Sequence, residues 1–90
     1  MAKPIIEYGD GGMEIHGGYD TVGCIDAAGP DDIWEVLANG AGDVWMQSHD
    51  YPENPIPWHE FVEKFAGRAD VDLEDVNRQV AELLADRRTK

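Results

Sequence analysis

Apolar residues fall along the chain in short alternating or helically spaced groups, separated by glycine, proline and aspartate. Pro4 to Tyr8 and Met13 to His16 flank the linker Gly9-Asp10-Gly11-Gly12, which has hairpin length, and they read as two antiparallel strands. With Tyr8 facing Met13, Ile6 meets Ile15 on the buried side and Glu7 lies opposite Glu14 on the other. Like charges paired across strands cost from some tenths of a kcal/mol to ~1 kcal/mol. Either the register is different, or that face is kept acidic for a partner.

After the turn Gly17 to Asp20, Thr21 to Ile25 gives a third strand with a bulge expected at Gly23. Gly29-Pro30-Asp31-Asp32 has the composition of a helix start, and Ile33, Val36 and Leu37 keep i, i+3, i+4 spacing up to a stop at Gly40. A helix is therefore expected here, with Trp34 and Glu35 off its inward stripe. Asp43 to Ser48 reads as a strand with Val44 and Met46 on one face and Trp45 and Gln47 on the other. Residues 49–57 hold three prolines and are expected to form an extended loop.

Pro57 suits the start of a second helix, where Trp58, Phe61, Val62 and Phe65 form the stripe and Gly67 the end. A third helix begins near Asp72, with Asp75 three residues on, and carries Leu73, Val76, Val80, Leu83 and Leu84. Its basic residues Arg87, Arg88 and Lys90 fall at the negative end. Such a narrow stripe suits packing on the chain's own domain or, alternatively, a homodimer through this C-terminal helix. The expected fold is α+β: a small antiparallel sheet of three to four strands with three helices, the last two forming a helical hairpin. Ninety residues bury one core, so residues 1–90 are expected to form a single domain. It comprises an acidic sheet-plus-helix part over residues 1–56 and a helical hairpin over 57–90.

Charge changes the picture. The net charge is −12, and residues 1–60 hold twelve acids against Lys3 alone, whereas residues 61–90 hold seven acids against six bases. A field of −11 over the first two thirds repels nucleic acid and membranes and attracts basic partners. Acidity also serves solubility or life in high salt, but a salt-adapted chain is acidic throughout. The 42% hydrophobic content and eight aromatics set the chain apart from a disordered acidic tail.

The single cysteine, Cys24, leaves no internal disulfide, no signal peptide or membrane span is read, and a cytoplasmic setting is expected. Candidate chemistry is thin. His49-Asp50 and His59-Glu60 could serve a metal-dependent hydrolase but match no ligand spacing. Cys24 with His16 lacks the electropositive setting that activates a thiol. Gly9 to Gly12 is followed by neither the helix nor the lysine of a phosphate loop. The chain therefore reads as a non-enzyme, with neither metal nor cofactor expected.

The residues assigned to partner binding are Glu7, Glu14, Asp26, Asp31, Asp32, Trp34, Glu35, Asp43, Trp45, Asp50 and Glu53. The tryptophans enter because they lie off the expected core faces, and large aromatics often anchor interfaces. A domain of this length spans ~30 Å. Its front-half acids then lie within a factor of about three of the charge spacing of duplex DNA, about 1.7 Å.

Gly12-Met13-Glu14-Ile15-His16-Gly17, Ile25-Asp26-Ala27, Asp31-Asp32-Ile33-Trp34-Glu35, Trp45 and His49-Asp50-Tyr51 together resemble the ArdA-type antirestriction proteins. The resemblance spans roughly residues 5–55, with an insertion at Gly18 to Cys24 and no counterpart for the helical C-terminal third. It implies an acidic DNA mimic, carried by a phage or mobile element, that occupies the DNA-binding groove of a restriction-modification enzyme or another host defence complex. By that likeness Glu14, Asp26, Asp31, Asp32, Glu35 and Asp50 act collectively as anti-defence carboxylates. The alternative expectation is a generic interaction or assembly module that binds through an apolar or tryptophan-rich face.

Overall fold

The hairpin register expected from the sequence is the one adopted. In the computed structural model, which describes residues 3–9, 12–29 and 31–88, β1 (Ile5–Gly9) pairs antiparallel with β2 (Gly12–His16). Ile6 lies opposite Ile15, Glu7 opposite Glu14 and Tyr8 opposite Met13. These two strands form a sheet of their own rather than joining the strands that follow. The second sheet is a four-stranded antiparallel meander, β3 (Tyr19–Asp26), β4 (Ile33–Asn39), β5 (Val44–Ser48) and β6 (Ile56–Pro57), in that spatial order. A register shift between Thr21 and Gly23 marks the bulge in β3. Two helices follow, α1 (Trp58–Phe65) and α2 (Leu73–Arg88).

The expected helix at residues 33–39 is the strand β4, so the fold is α+β with two helices and not three. Ile33, Val36 and Leu37 satisfy helical spacing. The same run also alternates, with Trp34, Val36 and Ala38 on one face and Ile33, Glu35 and Leu37 on the other. A short apolar run that is buried on both faces does not reveal its period, and β-branched and aromatic residues favour the strand.

The residues that resembled a helix start make a tight connection instead. The Asp32 N–H donates to the Gly29 carbonyl, the Ala27 N–H donates to the Asp32 carbonyl, and Gly29 sits at φ +113°. Gly40 belongs to the β4–β5 turn. There Asn39 Oδ1 accepts from the Ala41 and Asp43 N–H groups, and Gly42 takes φ +89°, which an L side chain rarely adopts.

Both faces of the meander are covered. On one, Ile25, Trp34, Val36 and Met46 pack against Phe61 and Phe65 of α1 and Val76 and Val80 of α2. Trp34 is the aromatic centre, edge-on to Phe61 at 5.0 Å and to Phe65 at 5.8 Å. On the other face Tyr19, Leu37 and Trp45 form a smaller core that Ile6 and Ile15 of the hairpin close. Trp34 and Trp45 are thus interior residues, 5% and 8% exposed, although both were expected to lie off the core faces.

Helix α2 starts as expected, with Asp72 Oδ1 accepting from the Glu74 and Asp75 N–H groups. It lies against β3, while α1 lies against β5 and β6, and both helices contribute to the same core on that face of the sheet. Close docking of α2 depends on Gly23, where an added Cβ would come within 2.6 Å of Leu83 Cδ2. Replacing Gly23 with valine is expected to destabilise the fold by about 1–3 kcal/mol through overpacking. Adding Leu83→Ala should recover part of that loss, and denaturant unfolding of the two single variants and the double variant measures the coupling.

Candidate functional site

An antiparallel meander gathers alternate connections at the same end. Residues 26–32, between β3 and β4, and residues 48–54, which leave β5, therefore share one end of the sheet, and the His49 N–H donates to the Ile33 carbonyl across them. Asp26, Asp31, Asp32, Asp50 and Glu53 lie at that end. Asp43 sits in the β4–β5 turn at the opposite end, bound to its neighbour through Asn39 Nδ2 at 3.0 Å, and it secures the turn rather than joining the group.

Among the acids at the shared end, Asp26, Asp31, Asp50 and Glu53 are exposed, while Asp32 is half-buried and committed within the chain. Its two carboxylate oxygens accept from the Trp34 indole Nε1 and from the Ala28 N–H, each at 3.1 Å. A residue assigned to the partner thus fixes both the β3–β4 connection and the central tryptophan. Beside it, a cleft of about 560 Å³ has Trp34, Ile56 and Phe65 in its wall, with Asp32, Asp50 and the largely exposed Tyr51 along its rim.

Lys64 and Arg68 also line this cleft, although the sequence reading gave residues after 56 no part in the site. Arg68 lies over the Phe65 ring at 4.9 Å and forms a two-point pair with Asp70, at 3.0 and 2.5 Å. The hydrogen bond to Asp70 raises the Arg68 pKa, and the same bond holds the Asp70 carboxyl below the ordinary aspartate range. The cleft is therefore amphoteric, and its cations are partly satisfied from within.

The outward face of the hairpin carries Glu7 and Glu14 with His16 between them. The His16 Nε2 lies 3.3 Å from Glu7 Oε2 and 3.8 Å from Glu14 Oε2, and all three side chains are exposed. Donor atoms of the three lie within 4.8 Å of one another.

Under the hairpin, Glu35 of β4 and Gln47 of β5 are cross-strand partners on the face shared with Leu37 and Trp45. They line a second cleft of about 320 Å³ together with Tyr8, Ser48, His49 and Pro52. Gln47 lies on the face expected from alternation, and His49, considered for metal or acid–base chemistry, lines this cleft instead. The sequence signal passed over was an uncharged amide between Met46 and Ser48 in a strand that proves to be buried on both sides. Cys24, opposite Glu35 in β3, is exposed.

Comparison of the chain with protein-family models, curated proteins and solved structures finds no match. Among the described residues no helix is long and apolar enough to cross a membrane.

Replacing Asp32 with alanine strands an amide N–H and a buried indole N–H and is expected to cost about 1–3 kcal/mol. Replacing its neighbour Asp31 should change stability by no more than about 0.5 kcal/mol. Urea unfolding of the two variants checks both values, and equal losses would mean that the Asp32 contacts carry no weight.

The lowered carboxyls give a second test. Asp75 is held low by its hydrogen bond with Arg78, as Asp70 is by Arg68. A depressed carboxylate stabilises the fold above the ordinary value of about 3.9 and loses that contribution as pH falls through the lowered value. Both pairs are exposed, so little stability is at stake. NMR titration of the side-chain carboxyls should place the Asp70 and Asp75 midpoints below about 3.9. Arg68→Gln should return Asp70, and only Asp70, to the ordinary range.

Proposed function

We propose that this chain is a non-enzymatic acidic inhibitor that engages the nucleic-acid-binding surface of a basic host protein by presenting carboxylates in place of phosphates. The observation that carries this reading is the gathering of Asp26, Asp31, Asp50 and Glu53, all exposed, at one end of the meander. The chain measures 37 Å along its longest axis. Twelve acids over that length amount to one per about 3 Å, against about one charge per 1.7 Å of duplex DNA. That spacing supports partial occupation of a nucleic-acid groove. It also favours fast, salt-sensitive association driven by the field in front of the acidic end.

Lys64 and Arg68 lie beside Asp32 and Asp50 in the first cleft, and part of the basic charge is offset within the chain. Arg78 is tied to Asp75 and Glu82, and Arg68 to Asp70, so two of the cations in the C-terminal third are neutralised locally. An interaction module built on a tryptophan patch has less support, because Trp34 and Trp45 are spent on the two cores.

The decisive experiment is a pull-down from a bacterial lysate at low and high salt, with bound proteins identified by mass spectrometry and challenged with duplex DNA. The expected partner is a basic nucleic-acid-binding protein that is lost at high salt and displaced by DNA. The quadruple variant D26N/D31N/D50N/E53Q, which leaves Asp32 and Asp43 in place, should bind that partner roughly tenfold more weakly at low salt, chiefly through slower association. A partner held through high salt, indifferent to DNA and to the quadruple variant, would overturn the reading.

A further inference from the structure

The cleft beneath the hairpin holds two buried hydrogen-bond acceptors that find no partner among the described residues. Gln47 is 1% exposed, and both N–H groups of its amide are engaged, one to the Pro52 carbonyl at 2.9 Å and one to the Tyr8 phenol oxygen at 3.2 Å. Those two bonds fix the orientation of the amide and leave Oε1 buried without a partner. The neighbouring Glu35 side chain is 22% exposed. Its Oε1 lies 3.3 Å from His49 Nε2, while its Oε2 is buried and also without a partner. A buried acceptor left unsatisfied is costly, and two from a single cross-strand pair make the cleft complementary to a donor-rich group. One acceptor belongs to a carboxylate, so the complementary group is cationic.

We propose that this cleft binds a guanidinium group, with Glu35 Oε2 and Gln47 Oε1 accepting its N–H groups. The aromatic ring of Tyr8 and the ring of Pro52 supply the flat, weakly polar walls that a planar cation prefers. A phosphate or carboxylate ligand would meet the Glu35 carboxylate and the two unpartnered acceptors and is disfavoured by the same chemistry. The guanidinium can be carried by a small molecule or by an arginine of a protein. Under the function proposed above it is an arginine of the basic partner, inserted beside the acidic end as an anchor, and only that assignment rests on the earlier reading.

The test uses the whole chain, labelled with nitrogen-15 and titrated with agmatine, with butylamine as the amine control. Saturable shifts are expected at the Gln47 side-chain amide and at the Tyr8 and His49 backbone amides, with agmatine binding at least several-fold more tightly than butylamine. Glu35→Gln, which keeps the shape of the side chain, should weaken agmatine binding tenfold or more. Tyr8→Leu, at a position that is 58% exposed and therefore tolerant of change, should weaken it several-fold, whereas Glu53→Gln at the acidic end should leave it unchanged.

The inference is overturned if no saturable shift appears at these residues, which would leave the cleft to water. It is equally overturned if Glu35→Gln binds as the parent does, or if Glu53→Gln weakens binding as much as Glu35→Gln. A short arginine-containing peptide that binds more tightly than agmatine assigns the group to a protein partner, and the reverse order assigns it to a small molecule. Agmatine binding in a chain that captures no DNA-displaceable partner would retain this site while removing the proposed function.

Discussion

Burial of β4 on both faces is the constraint from which the rest of the structure follows. Val36, Leu37 and Ala38 are fully buried, with Val36 turned to the helices and Leu37 to the hairpin. A strand in that position needs a cover on each side. The aromatic face of α1 and the apolar stripe of α2 supply one, and Ile6 and Ile15 supply the other. The hairpin is thus a lid on a second core and not an extension of the sheet, and its outward face is left free to carry charge. A chain of 90 residues with a net charge of −12 keeps little hydrophobic surplus, so Trp34 and Trp45 are both committed to cores. Trp34 joins α1 to the sheet, and Trp45 joins the sheet to the hairpin side.

That economy separates acids that hold the fold from acids that are displayed. Asp32 and Asp43 sit in the two connections that flank β4 and satisfy donors there. Asp72 caps α2, while Asp70 and Asp75 hold arginines. The display set is what remains at the β3–β4 and β5–β6 end, with Glu7 and Glu14 on the hairpin. Because the meander folds antiparallel, segments about twenty residues apart in sequence become neighbours, and a dispersed acidic composition becomes a local field.

The Glu35–Gln47 pair is the other consequence of covering the sheet twice. Polar residues at these two positions would be solvated on an open face. Beneath the hairpin they are drawn into the interior, and the Tyr8 phenol and Pro52 carbonyl satisfy only the donors of the amide. The polarity of the cleft is therefore a product of tertiary closure, and a donor-bearing ligand completes it.

The sequence alone determined the features that are local. The Glu7–Glu14 register follows from hairpin length, the β3 bulge from Gly23, the faces of β5 from alternation, and both C-terminal helices from their apolar spacing and caps. It also determined the charge asymmetry. Tertiary structure decided residues 33–39, where Ile33, Val36 and Leu37 fit either period and the choice turned on whether both faces would be buried. With that choice went the interior placement of Trp34, the structural use of Asp32, and the pairing of Glu35 with Gln47. The physical reason is the same in each case: spacing along a chain reports the contacts a segment makes with itself, whereas burial on a second face depends on segments that are distant in sequence.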